Sequence, residues 1–281
     1  MTNQLIEAIS SAADNGKPLV WLDAEGYCSR VLLNDKTIPW TNTAEVVSIF
    51  GQIQGLLKAD VAPVHLGNFL RAWLAANTIA LAEMRGKKQA RFAVKRLLGV
   101  EALRQLVHET VSSLCGSLSQ SVVLVLPPNR ELISWVNHET NGMGFNVITD
   151  MDVDSVSVYL ADFLRIFSEL DVAGVLLQLP EGTAVNPRLL ELYSPIINVT
   201  RHYKWAFGME VSAPGEVNDP EKQLQYIITD DVQSCSTGLV QTRAFWDTGT
   251  VKWEVPHFVY AEVPPGLQPE LVLERLASLK G

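Results

Sequence analysis

The chain has 281 residues, 47% of them hydrophobic, with 22 Lys and Arg against 31 Asp and Glu, a formal net charge of -9 and a pI near 5.1. That hydrophobic content can build a large core and excludes a chain that stays unfolded, while the acidic balance speaks against nucleic-acid and anionic-membrane binders, which carry a basic face. Cys28, Cys115 and Cys235 are far apart and fit free thiols in a reducing cytoplasm better than a disulfide framework, and no apolar run reaches the length of a membrane span.

In chain order, Leu5, Ile6, Ile9 and Ala13 predict a short amphipathic helix rather than a secretory leader. Residues 18–23 read as a strand, and residues 27–33 with 37–40, around Asn34-Asp35-Lys36, as a β-hairpin. From 43 to 116 the apolar spacing is helical, in several helices broken near Gly86 and Gly99, and predicts a helical insertion.

Alternation of strands and helices then sets in. Residues 122–126 form an apolar strand ended by Pro127-Pro128, a helix follows from Arg130 to about His138, and 145–149 read as the next strand. Val156, Tyr159, Leu160, Phe163, Leu164, Phe167 and Leu170 make one apolar helix stripe with Asp154 as its N-cap. The continuous apolar run 173–179 is a strand covered on both faces, ended by Pro180 and followed by Glu181. Asn186-Pro187 and Ser194-Pro195 start helices. Strands are expected at 205–211 and 225–229, a second hairpin at 239–246 and 250–255 around Asp247-Thr248-Gly249, a strand at 258–263 and a closing helix at 269–279.

Strands separated by helices give a mainly parallel sheet, so the expected fold is a single (β/α)8 TIM-type barrel over residues 1–281, with the helical insertion at 43–116 and added hairpins. A doubly wound open sheet is the alternative. Fewer than eight strands can be read, so a barrel requires strands hidden in the helical region or an irregular closure.

The segments SVVLVLPPNRELISWV (121–136), DVAGVLLQLPEG (171–182), KWAFGMEV (204–211) and QYIITDD (225–231) together resemble the superfamily of cobalamin-independent methionine synthase and uroporphyrinogen decarboxylase. The likeness covers roughly the C-terminal 160 residues and rests on pattern rather than on an invariant motif. It implies a barrel enzyme of transferase or lyase type. In the synthase branch it implies zinc, with a carboxylate ligand at Glu181 and a thiolate at Cys235. That branch also uses a His-x-Cys pair, which is missing here because none of His65, His108, His138, His202 and His257 lies two residues from a cysteine, and this disfavours zinc. In the decarboxylase branch, Met84-Arg85 and Gln89-Ala90-Arg91 resemble, at a different spacing, an arginine-bearing segment that grips acidic side chains of a tetrapyrrole.

Parallel α/β proteins keep their chemistry at the carboxyl ends of the strands, so the acids Asp23, Asp150, Glu181, Glu210, Asp230 and Asp231 are the first candidates. Glu181, Glu210 and Asp230 are expected as acid/base groups, with Glu181 foremost, and His138 as a residue that titrates near neutral pH. Asn129 and Arg130 begin a helix, where free N–H groups favour an anion, and with Asp23 and Gln178 they are expected to bind substrate. The alternating acids of 150–154 resemble a calcium loop without its Gly and Glu, and helix capping accounts for them better. Arg85, Lys87, Lys88, Arg91, Lys95 and Arg96 form a basic run whose ordinary role is a solvated helix face. The reading is a cytoplasmic enzyme acting on a small polar or anionic metabolite, with no nucleic-acid or membrane partner, as a homodimer or beside a pathway protein. The alternative is a catalytically inactive barrel serving as an accessory subunit.

Overall fold

Eight strands pair in parallel and close on themselves: β1 (Val20–Asp23), β2 (Val61–His65), β3 (Ser121–Leu126), β4 (Gly174–Gln178), β5 (Ala206–Glu210), β6 (Tyr226–Thr229), β7 (Ser236–Val240) and β8 (Phe258–Glu262). The closing pair is β1 with β8, in the register Trp21 to Tyr260 and Asp23 to Glu262. Closure excludes the open sheet and establishes a (β/α)8 barrel. The computed structural model describes residues 3–85, 89–142, 147–212, 217–255 and 257–280. Among these, no helix is long and apolar enough to cross a membrane.

Successive side chains on a strand point to opposite faces, so each strand divides its residues between the barrel interior and the helical shell. Trp21, Val61, Val123, Val125, Leu176, Ala206, Tyr226, Ile228, Phe258 and Tyr260 cluster inside. Val64, Leu124, Val175, Phe207 and Ile227 alternate with them and join the outer core with the helices. Two glycines make room for interior rings. A Cβ at Gly208 would fall 2.3 Å from the Tyr226 ring, and one at Gly238 2.4 Å from the Phe258 ring. The Tyr226 hydroxyl donates to the Val175 carbonyl at 2.8 Å, which satisfies it within the core.

The amino-terminal end of the barrel is plugged by helix Gln4–Asp14, whose Leu5 and Ile9 are buried against the interior cluster. Asn3 caps this helix through its side-chain oxygen, and its Nδ2 donates to the carbonyls of Ala173 and Lys204, just before β4 and β5. One residue thus starts the plug and ties it to the barrel floor.

Several expectations are corrected. The stretch 43–116 is not wholly a helical insertion: after helix Thr43–Leu57 it contains β2, and helices Leu66–Ala76, Thr78–Met84, Phe92–Leu98 and Glu101–Ser117 follow. Pro63 lacks an N–H and sits inside β2, which meets β1 at the single register pair Trp21 and Val61, so little pairing is lost on that side. Neither hairpin exists. Residues 25–33 are a helix ended by Asn34 and Asp35 at φ 52 and 64, and Arg243–Thr248 is a helix ended by Gly249 at φ 79. A left-handed residue serves a hairpin turn and a helix C-cap alike, so the turn signal was real and its context was not. Residues 147–149 of the expected strand 145–149 are not a strand, and 145 and 146 lie outside the described residues. The following helix, Asp150–Leu164, is capped by Thr149 in a capping box with Asp152, not by Asp154.

Candidate functional site

In five of the eight strands an interior position near the carboxyl end is polar. Asp23 ends β1, His65 ends β2, Gln178 ends β4 and Glu210 ends β5, while Tyr260 lies in β8, and all follow the inward parity of their strands. His65 Nε2 stands 2.9 Å from Asp23 Oδ2, with both side chains largely out of solvent. At this distance the two form a close ion pair. Glu210 Oε2 accepts from Gln178 Nε2 at 2.9 Å, and the Tyr260 hydroxyl also donates to this carboxyl group. Glu25, in the first turn of the helix after β1, accepts from Asn68 Nδ2 at 2.6 Å and from the Trp40 indole.

The titration of these groups is set by burial against mutual charge. Burial alone would raise Asp23, yet the charge and hydrogen bonding of His65, with the Glu25 N–H, hold it below the usual carboxylate value. Burial alone would lower His65, but the charge of Asp23, then Glu25 and Glu210, overcomes it and raises the imidazole to about 9. At neutral pH the pair is therefore carboxylate and imidazolium. Burial raises Glu210 first, and the Gln178 hydrogen bond only partly offsets this. Glu25 is likewise raised by burial ahead of every other influence.

Beside the cluster opens a cavity of about 720 Å³, lined among others by Glu210, Asp230, Gln241, Arg243, Tyr260 and Glu262. Its size is in the range that takes a small metabolite. Gln241 is buried and braced through Nε2 on the carbonyls of Leu239 and Lys252, so it is a fixed wall. Arg243 is exposed and pairs with Asp247 at 3.5 Å. Below Asp23, Glu25 and His65 lies a second space of about 40 Å³, mostly apolar and large enough for a water.

Of the residues expected from the sequence, Asp23, Gln178, Glu210 and Asp230 are brought together on the inner side of this rim. The others are not. Glu181 lies exposed in the turn after Pro180. His138 is exposed in the last turn of helix Asn129–Asn141, which begins at the carboxyl rim after β3 and runs away from it. That position suits a helix-dipole role rather than catalysis. Asn129 is fully buried and spends its amide on Val153 O and Ser157 Oγ, which makes it a structural residue. Arg130 lines a separate cavity and pairs with Asp150 at 2.6 Å.

The zinc ligands implied by the resemblance do not meet. Glu181 follows the carboxyl end of β4, whereas Cys235 immediately precedes β7, at the opposite end of the parallel barrel. A strand of five residues spans about 16 Å, far beyond any shared metal. Burial pushes the Cys235 thiol up to about 11, which keeps it protonated. Among the described residues, no group of three or more His, Cys, Asp and Glu is placed to hold a metal. These residues do not fit a zinc centre of that kind.

His65, Glu25, Tyr260, Gln241 and Arg243 are site residues that sequence reasoning missed. His65 ends Val61-Ala62-Pro63-Val64, a strand too short and too closely flanked by helices to be read from the sequence. Of the basic run, Lys87 and Lys88 lie outside the described residues, and Arg91 pairs with Asp152 at 3.0 Å. No protein-family model matches the chain, and comparison with curated proteins gives no match.

Proposed function

We propose that the protein is an enzyme of transferase or lyase type that acts on a small polar metabolite by proton transfer at Glu210. The observation that carries this reading is the convergence of Glu210 and the Asp23–His65 ion pair on the inner carboxyl rim, beside a cavity of metabolite size. Burial raises the Glu210 carboxyl above its ordinary value, the direction that suits a general acid or base. Gln178 and Tyr260 hold it in one orientation. The His65 imidazolium offers a fixed positive charge to a carboxylate or to a substrate oxygen that becomes negative, and Asp23 keeps it charged. Asp230 supplies a hydrogen-bonding position on the cavity wall, and Gln241, its amide engaged by Leu239 and Lys252, is a fixed part of that wall. The pattern-level resemblance to the methionine synthase and decarboxylase superfamily supports the reaction class, and the three free thiols support a cytoplasmic setting.

The test begins with a thermal-shift screen of small polar metabolites, and any compound that stabilises the protein is assayed for turnover with Glu210→Gln and His65→Asn. A general acid or base contributes roughly 100-fold to 10,000-fold. Glu210→Gln should therefore lose turnover on that scale while calorimetric affinity stays within a few-fold. Full turnover by Glu210→Gln would overturn the proposal.

A further inference from the structure

Another cavity, of about 310 Å³, opens on the same rim between the turns that follow β3 and β4. It is separate from the Glu210 site and its case does not rest on that site's chemistry. Arg130 and Arg188, from two different helices, both reach into its wall and both bind Asp150, each at 2.6 Å. Two guanidinium charges face one carboxylate, so one positive charge is left uncompensated. The donors are also in excess. Arg130 gives its Nη groups to Ile148 O and to Asp150, whereas Arg188 gives one Nη to Asp150, and a guanidinium carries five N–H bonds.

Tyr193 supplies an independent sign. It is 3% exposed, lines the cavity, and its hydroxyl oxygen accepts the first N–H of helix Asn129–Asn141. Its own proton goes to no acceptor among the described residues, and burial, which pushes the phenol up to about 12, keeps that proton in place. Asn186 and Thr183 also line the cavity; Asn186 uses its side-chain oxygen to cap Leu189, which leaves its amide N–H₂ as a donor, and Thr183 adds a hydroxyl. Apart from Asp150, every polar side chain of the lining can donate a hydrogen bond.

We infer that this cavity is a binding site for an oxyanion group, carboxylate or phosphate, held between the Arg130 and Arg188 guanidinium groups and the Tyr193 hydroxyl. Asp150 holds the two arginines in a fixed fork before the ligand arrives, so less side-chain freedom is lost on binding. The fork is the part of the site that decides charge, and Tyr193 is the part that decides depth.

Isothermal calorimetry with the whole chain tests it, using sodium phosphate and sodium acetate as separate probes at matched ionic strength, with sodium chloride as the control. Saturable binding of at least one probe is expected. Phosphate alone points to a phosphate-bearing ligand, acetate alone to a carboxylate. Arg188→Ala removes a side chain that is 81% exposed, so folding should survive it. Loss of one charge-assisted hydrogen bond should weaken binding about tenfold or more. Tyr193→Phe should weaken it as well, with near-native thermal unfolding as the check on structure. The inference is overturned if neither probe binds saturably, or if both variants bind as tightly as the parent.

Discussion

Replacing Asp23 with asparagine keeps the shape of the side chain and removes the charge that stands 2.9 Å from His65 Nε2. His65 is raised from an ordinary value of 6.5 to about 9, a shift equivalent to about 3 kcal/mol of preference for the charged ring. An independent figure agrees: a unit charge pair about 4 Å apart at an effective dielectric constant near 20 is worth about 4 kcal/mol. Because the folded value lies above the unfolded one, this stabilisation is fully present below pH 6.5 and is lost as pH rises through about 9. The parent should therefore lose about 3 kcal/mol more than Asp23→Asn between about pH 6 and pH 10, measured as the difference in urea unfolding free energy. Ring-carbon NMR of His65, assigned by its absence in His65→Asn, should show the titration near 9 falling by about two units in Asp23→Asn. Glu25 and Glu210 still face the ring and prevent a complete return. A His65 that titrates at or below its ordinary value in the parent, or one that Asp23→Asn does not move, would refute the assignment of a permanent imidazolium at the rim.

Gly208→Ala should destabilise the fold by about 1–3 kcal/mol, because the new methyl group meets a Tyr226 ring that its hydrogen bond to Val175 and its packing on Trp21 keep from swinging away; an unchanged urea midpoint would show that the ring has room. Leu5→Ala should cost about 2–5 kcal/mol by uncorking the barrel floor, while Leu273→Ala, at a site 41% exposed, should cost about 0.5 kcal/mol or less, both read from denaturant unfolding. Cys235 should react with iodoacetamide at neutral pH roughly 100-fold more slowly than a free thiol, since its value of about 11 stands against an ordinary 9; labelling at the free-thiol rate would contradict its burial.

Much of the barrel was legible because its strands carry their own boundaries. Val122 to Leu126 stops at two prolines, the run ending at Leu179 stops at Pro180, and the helix at Pro187 starts behind an Asn cap whose oxygen accepts from Leu189 N. β2 was not legible, because five residues containing a proline are flanked by leucine-rich helices whose periodicity dominates any window that includes them. The two false hairpins have a single physical source. Asn34 and Gly249 both adopt positive φ, and local sequence does not distinguish a chain that reverses after a strand from one that stops after a helix.

The site was legible only where strand position and inward parity were both readable. In β4 the interior residues are Gly174, Leu176 and Gln178, and continuing that alternation reaches Pro180, so Glu181 is off parity, and it lies exposed in the turn beyond the strand. In β5 the interior series Ala206, Gly208 leads to Glu210, and in β6 Tyr226 and Ile228 lead to Asp230, whereas Asp231 is off parity, exposed, and 3.6 Å from Lys252. Trp21 leads in the same way to Asp23, Val61 to His65 and Phe258 to Tyr260. Glu181 was preferred because it follows the most recognisable strand, yet nearness to a strand end places a carboxylate only at the rim. Counting in twos from a buried interior residue decides whether it faces the cavity, and that count selects Asp23, His65, Gln178, Glu210 and Asp230 while rejecting Glu181 and Asp231.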